Sequence, residues 1–167
     1  NTEYNQQKVL AAFIENQVSE SHFTPTTGYG YGDRGRDKLD EVFAQSLGAE
    51  DALVRHSILS GTHAITIALF GVLRPGDTLL AVTGAPYDTL EDVIGIRGNA
   101  SGSLKEFGVQ YREVPLDHAG HPNIPAIEAA LEAYGADRPV KMVHIQRSRG
   151  YNLRPSLSVA EIGRIIA

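Results

Sequence analysis

Apolar residues recur at helical spacing from the start of the chain. Val9, Leu10, Phe13, Ile14 and Val18 predict an amphipathic helix over about residues 3–18. Residues 21–36 break the pattern. They are rich in Thr, Gly, Tyr and Arg and predict a long loop, a kind of segment that is usually functional. Asp37 is the expected cap of a second helix through Leu47, with Leu39, Val42, Phe43 and Leu47 on one side. Strand-like and helix-like runs then alternate. Strands are expected at about 52–56, 78–83, 109–114 and 140–145, and helices at about 61–73, 86–97, 123–134 and 158–167. Arg74-Pro75-Gly76-Asp77 and Asp117-His118-Ala119-Gly120-His121-Pro122 read as turns. This alternation predicts an α/β fold, a mainly parallel sheet with helices on both faces. Ligands in such sheets bind at the carboxyl ends of strands. Residues 57–63, 84–89 and 146–151 should therefore converge.

The last helix changes the picture of the whole chain. Ser158-Val159-Ala160-Glu161 matches a capping box, and Val159, Ile162, Ile165 and Ile166 follow on one apolar face. That face either packs on earlier helices or awaits sequence beyond Ala167. The first residue is Asn1 rather than Met, so further sequence is expected in front as well.

Composition narrows the classes. Of 167 residues, 42% are hydrophobic and 21% charged, which suits one cored globular domain and excludes disordered and collagen-like chains. A net charge of −5 argues against a nucleic-acid binder driven by phosphate contacts. No apolar run approaches the roughly 20 residues of a membrane span. No signal peptide is visible, and a cytoplasmic protein is expected. Asn99-Ala100-Ser101 matches the glycosylation pattern and is expected to be a loop. Cysteine is absent, which removes disulfides and Cys metal sites. His118 and His121 share a turn but lack a third ligand near in sequence, so no metal site is expected. There is no G-x-S-x-G elbow and no P-loop.

Several segments carry candidate chemistry. Ser60 suits the N-cap of a helix, and Gly61 lets a ligand approach the backbone at Gly61 and Thr62. Free N–H groups and the helix dipole there attract phosphate, although an ordinary capped helix has the same sequence. Gly84-Ala85-Pro86-Tyr87-Asp88-Thr89 follows a strand, with Pro86 suited to the first helical turn. Tyr87 can lie flat against a planar ring or serve in packing alone. Gln146, Arg147, Ser148 and Arg149 leave another strand and offer anion contacts, or form an exposed basic loop. Tyr29, Tyr31, Arg34 and Arg36 supply phenol and guanidinium donors suited to phosphate or carboxylate, or a solvated Gly-rich loop. Gly30 to Gly35 also matches G-x-G-x-x-G, which opens a second reading as a nucleotide-binding Rossmann-like module. That reading needs a strand immediately before Gly30, and residues 21–27 are a poor one.

Together these segments are more specific than any one alone. The run Thr27-Gly28-Tyr29-Gly30-Tyr31-Gly32-Asp33-Arg34-Gly35-Arg36-Asp37 resembles the methionine gamma-lyase-like, or aluminium-resistance, family of pyridoxal 5'-phosphate (PLP) enzymes. So do Val54-Arg55, Ser60 to Ile65, Arg74 to Asp77, Gly84 with Pro86 to Leu90, and Gln146 to Tyr151. The order is the family's, over nearly the whole chain. The resemblance implies the aspartate-aminotransferase-like fold, PLP fold type I, on the cystathionine lyase branch. Residues 1–36 would be a helix and arm, and 37–167 the first half of the PLP-binding large domain.

The resemblance also implies roles. Ser60, Gly61 and Thr62 would hold the cofactor phosphate, and Tyr87 would stack on the pyridine ring. One of Tyr29 and Tyr31, with Arg34 or Arg36, would reach the phosphate of a neighbouring subunit, since such sites form at the dimer interface of a homodimer or homotetramer. Gln146, Arg147, Ser148 and Arg149 would line the site. The implied activity is a PLP-dependent carbon–sulfur lyase acting on a sulfur amino acid, as a cystathionine beta-lyase or a methionine gamma-lyase does. The family's Schiff-base lysine and pyridinium aspartate have no match here. Lys8, Lys38, Lys105 and Lys141 stand in other contexts. No catalytic residue is therefore expected in this chain, which by itself should be inactive. A non-catalytic fragment that associates with a partner chain is the remaining alternative.

Overall fold

Strand β1, Thr78–Ala81, is buried along its whole length. In the computed structural model, which describes residues 1–98, 101–135 and 140–167, this strand is the middle of the sheet. Asn99 and Ala100 of the glycosylation pattern lie outside the described residues. The chain forms two compact units, Asn1–Leu59 and Ser60–Ala167.

The second unit runs α3 (Gly61–Val72), β1, α4 (Asp88–Ile94), β2 (Gln110–Glu113), α5 (Ile124–Gly135), β3 (Val140–His144) and α6 (Val159–Ile166). The sheet has the order β2-β1-β3, with both pairs parallel. Leu79 and Leu80 are neighbours in a strand and so point to opposite faces. Leu79 packs with Leu69, Leu73, Leu90, Ile94, Leu104 and Val109. Leu80 packs with Val82, Val114 and Ile127, against which Ile165 of α6 also rests. Both faces of β1 are thus covered by helices, which is why its sequence is continuously apolar. The segments after β1 and after β3 leave adjacent strands, at the point where the strand order reverses.

The first unit holds α1 (Thr2–Glu15), a 3-10 turn (Glu20–Phe23) and α2 (Arg34–Leu47). The two helices join through Asn16 Nδ2, which donates to Gln45 Oε1 at 2.5 Å, and through Gln45 and Glu15. Helix α2 starts earlier than its apolar pattern suggests. Asp33, not Asp37, is the cap, and its Oδ1 accepts from Arg36 N at 3.1 Å. The early start brings Gly35 against the 3-10 turn. A Cβ on Gly35 would stand 2.2 Å from the His22 carbonyl oxygen, so only glycine fits. Residues 21–36 are accordingly more ordered than a plain loop.

Two other expectations are corrected. Residues 52–56 form no strand. Among the described residues no strand pairs with the stretch. It is held instead by Asp40 of α2, whose carboxylate accepts from Val54 N at 2.7 Å and from Arg55 at 2.8 Å. The helix expected at 86–97 is shorter at both ends. Pro86 precedes it, Tyr87 is its N-cap, and Gly95 stops it with φ +87°. The chain then folds back, with Leu104 N and Lys105 N donating to the carbonyls of Val93 and Ile94 at 3.0 Å. Among the described residues no helix is long and apolar enough to cross a membrane.

Candidate functional site

The site in the second unit begins at the N-terminus of α3. Ser60 is extended, and its hydroxyl accepts from His63 N at 3.1 Å. The N–H groups of Gly61 and Thr62 meet no acceptor among the described residues. A Cβ at Gly61 would meet nothing within 4 Å, so the backbone is open to an approaching group. Free donors at a 12-residue helix, added to its dipole, favour an anion.

Thr62 links this terminus to the exit of β1. Its Oγ1 lies 3.1 Å from Tyr87 Oη and 3.0 Å from Thr89 Oγ1. Thr66 hydroxyl donates to Thr62 O at 2.7 Å and steadies the first turn. Tyr87 is half-buried, packs against the Leu79 cluster and carries its phenol toward α3.

Gln146 ties the exit of β3 to the same place. It is 7% exposed, and its backbone and side-chain polar groups are all engaged. Gln146 N donates to Thr83 Oγ1 at 2.9 Å, and Oε1 accepts from Tyr87 N at 2.9 Å. Its Nε2 donates to Ser148 O at 3.1 Å. Arg147 is turned away toward Leu157, donating from Nε to the carbonyl at 3.1 Å. Arg149 is exposed. Arg154 braces the loop, its guanidinium donating to Ser148 O at 2.9 Å and to Gln146 O at 3.3 Å. Thus the segments at 60–62, 87–89 and 146–148 do converge at the strand carboxyl ends.

Some participants were not anticipated. Thr89 and Thr83 bond to residues that the sequence did single out. A hydroxyl in the first turn of a helix and another at a strand end were the available signals. Arg154 gave none, because its partners are carbonyl groups. His144 interrupts an apolar strand, and that was its signal. Its Nδ1 is buried and has no hydrogen-bond partner among the described residues, and burial holds its pKa below the usual value.

The glycine-rich loop belongs to the first unit. Asp33 is 8% exposed and accepts from Thr26 hydroxyl at 3.2 Å and from Arg36 Nε at 3.2 Å. Arg36 is thereby turned inward, with NH2 also 3.5 Å from Gly28 O. Arg34 is exposed, and Tyr29 and Tyr31 are 83% and 91% exposed. The only regular elements before Gly30 among the described residues are α1 and the 3-10 turn. The strand that a nucleotide-binding Gly30–Gly35 requires is therefore missing, and Gly35 serves close packing instead. Among the described residues no group of three or more His, Asp or Glu is placed to hold a metal ion.

A sequence profile of the family described as methionine gamma-lyase matches residues 1–167. The chain belongs to the methionine gamma-lyase family. It is 49% identical to the Bacillus subtilis protein YnbB over 166 residues, which is 99% of this chain and 38% of that protein. A solved structure from Listeria innocua, provisionally named a cystathionine beta-lyase involved in aluminum resistance, superposes with a TM-score of 0.91 at 52% identity. That match covers 98% of this chain and 39% of the Listeria chain. A carbon-sulfur lyase involved in aluminum resistance from Clostridium novyi gives a TM-score of 0.88 at 51% identity, over 98% of this chain and 38% of that one. This member of the family thus spans about two fifths of the length of its relatives.

Proposed function

We propose that this chain is the cofactor-phosphate part of a PLP-dependent carbon–sulfur lyase with the fold type I, aspartate-aminotransferase-like architecture. The observation that carries the proposal is the open N-terminus of α3 joined by Thr62 to Tyr87 at the exit of β1. The residues fit the group. The free N–H groups of Gly61 and Thr62 and the helix dipole suit a phosphate dianion. Half-buried Tyr87, anchored at both its phenol and its backbone N–H, offers a fixed aromatic face. The family and the names of its relatives support a lyase.

When bound, the cofactor draws electrons from the amino-acid α-carbon, so that a proton and then a thiol group can leave. This chain's part is to bind and orient. Ser60 to Thr62 hold the phosphate, and Tyr87 fixes the tilt of the ring. Gln146, Ser148 and Arg149 border the site, with Arg149 the guanidinium still available to an anion, while Arg147 is engaged with the Leu157 carbonyl. In the loop of the first unit, Arg36 is committed to Asp33. Arg34, with Tyr29 or Tyr31, is left to reach the phosphate of a neighbouring subunit in a homo-oligomer. On this reading residues 1–36 are the arm and 37–167 the first half of the large domain. The lysine that binds the cofactor covalently lies in a part of the full-length protein outside this chain. The substrate is a sulfur amino acid such as cystathionine or methionine.

The test is made on the full-length protein with PLP. A visible absorption band, fixed by borohydride to a lysine outside residues 1–167, is expected, together with 2-oxo acid release from cystathionine or methionine. No band at saturating PLP would sink the proposal.

A further inference from the structure

Gln146 is a buried polar side chain that touches both loops flanking the site. It takes the Tyr87 N–H on Oε1 at 2.9 Å and gives Nε2 to Ser148 O at 3.1 Å. Its own backbone N–H is pinned by Thr83 Oγ1 at 2.9 Å, in a fully buried bond. Thr83 and Tyr87 leave β1, whereas Gln146 and Ser148 leave β3. Tyr87 has no side-chain cap of its own at the start of α4. The amide of Gln146 accepts the backbone N–H at that position.

We propose that Gln146 is a positioning residue. It sets the ring of Tyr87 against the cofactor and couples that position to the loop 147–149. This rests on the reading of the site as a PLP site. Each end of its amide is held by protein, which fixes the orientation of the side chain at the border of the site. The amide meets both demands at once, since its oxygen accepts and its nitrogen donates. A glutamate keeps the acceptor for Tyr87 N–H and loses the donor to Ser148 O. An asparagine is one methylene shorter and cannot span the two loops from the same backbone.

These differences give the experiment. Full-length wild type, Gln146→Glu and Gln146→Asn are compared by amide hydrogen exchange without cofactor, by the PLP dissociation constant, and by the circular-dichroism band of bound PLP. Thermal unfolding of each serves as the folding control. In Gln146→Asn the exchange at Tyr87 should rise, the dissociation constant should rise roughly tenfold, and the dichroic band should weaken. In Gln146→Glu the Tyr87 amide should stay protected and the dichroic band persist, while exchange rises at Asn152 and Leu157, whose N–H groups bond to the carbonyls of Arg149 and Arg147. Should Gln146→Asn fail to fold, Gln146→Glu carries the test through that separation. Unchanged exchange, affinity and band in the folded variants overturn the inference. So does equal loss of Tyr87 protection in both. If wild type itself takes up no PLP, the site reading fails and the inference with it, a result visible before any variant is made.

Discussion

Ser60 contributes in two ways that can be measured apart. Its hydroxyl satisfies the His63 N–H, and loss of such a cap costs about 1 kcal/mol of stability. Ser60→Ala should lower the urea midpoint accordingly and weaken PLP binding several-fold, as followed by absorbance titration of the full-length protein. Gly95 gives a sharper expectation. At φ +87° it is left-handed, and an added Cβ would stand 2.5 Å from Ser103 Oγ. Gly95→Ala should therefore destabilise by about 2 kcal/mol or more, in the same urea assay. At this scale the sequence was readable where a residue type performs one local task. Ser60 before a helical run is such a case. Asp33 and Asp37 are not. Both can cap, and the choice was settled by Gly35, whose fit beneath the His22 carbonyl depends on chain folded from elsewhere.

Elements were legible where a cap and a period agree. Ser158 and Glu161 form the expected reciprocal box at α6. Glu161 is further held by His121, whose Nδ1 lies 2.6 Å from Oε1. The Ser158 backbone N–H, then His121 and the Ser158 hydroxyl, bring the Glu161 pKa from 4.5 to about 2. Between those two values the unfolded chain takes up a proton that the folded chain refuses. The stabilisation is complete above pH 4.5 and is lost as pH falls toward 2. Glu161→Gln should lose stability at pH 7 and show less further loss on acidification, read as urea midpoints at pH 7 and pH 3. The stretch 52–56 shows where the local signal fails. Val54 sits in an apolar run that looks like a strand, yet a strand exists only by pairing. Asp40, fourteen residues earlier, takes its N–H instead. Burial opposes the charge of Asp40, but the Val54 N–H and the Arg55 guanidinium outweigh it and hold its pKa below the usual value.

The whole second unit depends on β1. Leu80 is fully buried beneath Val82, Val114 and Ile127, and Leu80→Ala should cost about 2–5 kcal/mol, measured by denaturant unfolding. Alternation of runs foretold a parallel sheet covered by helices. It could not give the order β2-β1-β3, because no local pattern records which strand lies on which side of another. The convergence of Thr62, Tyr87 and Gln146 followed from the general rule for strand carboxyl ends. The bonds among them did not, since they join residues 25 and 59 positions apart.

That order also governs timing. A ribosome delivers β1 first, β2 some thirty residues later and β3 only after about thirty more. Until Val140–His144 emerges, one edge of β1 has no strand beside it, and the Leu80 side waits on α5 and α6 for its cover. The most apolar strand of the unit is thus the longest exposed during synthesis, a window in which nascent chains on one messenger can pair edge to edge. Slow translation between the codons for residues 114 and 140 would lengthen that window, and a chaperone that binds apolar strands would find its target there.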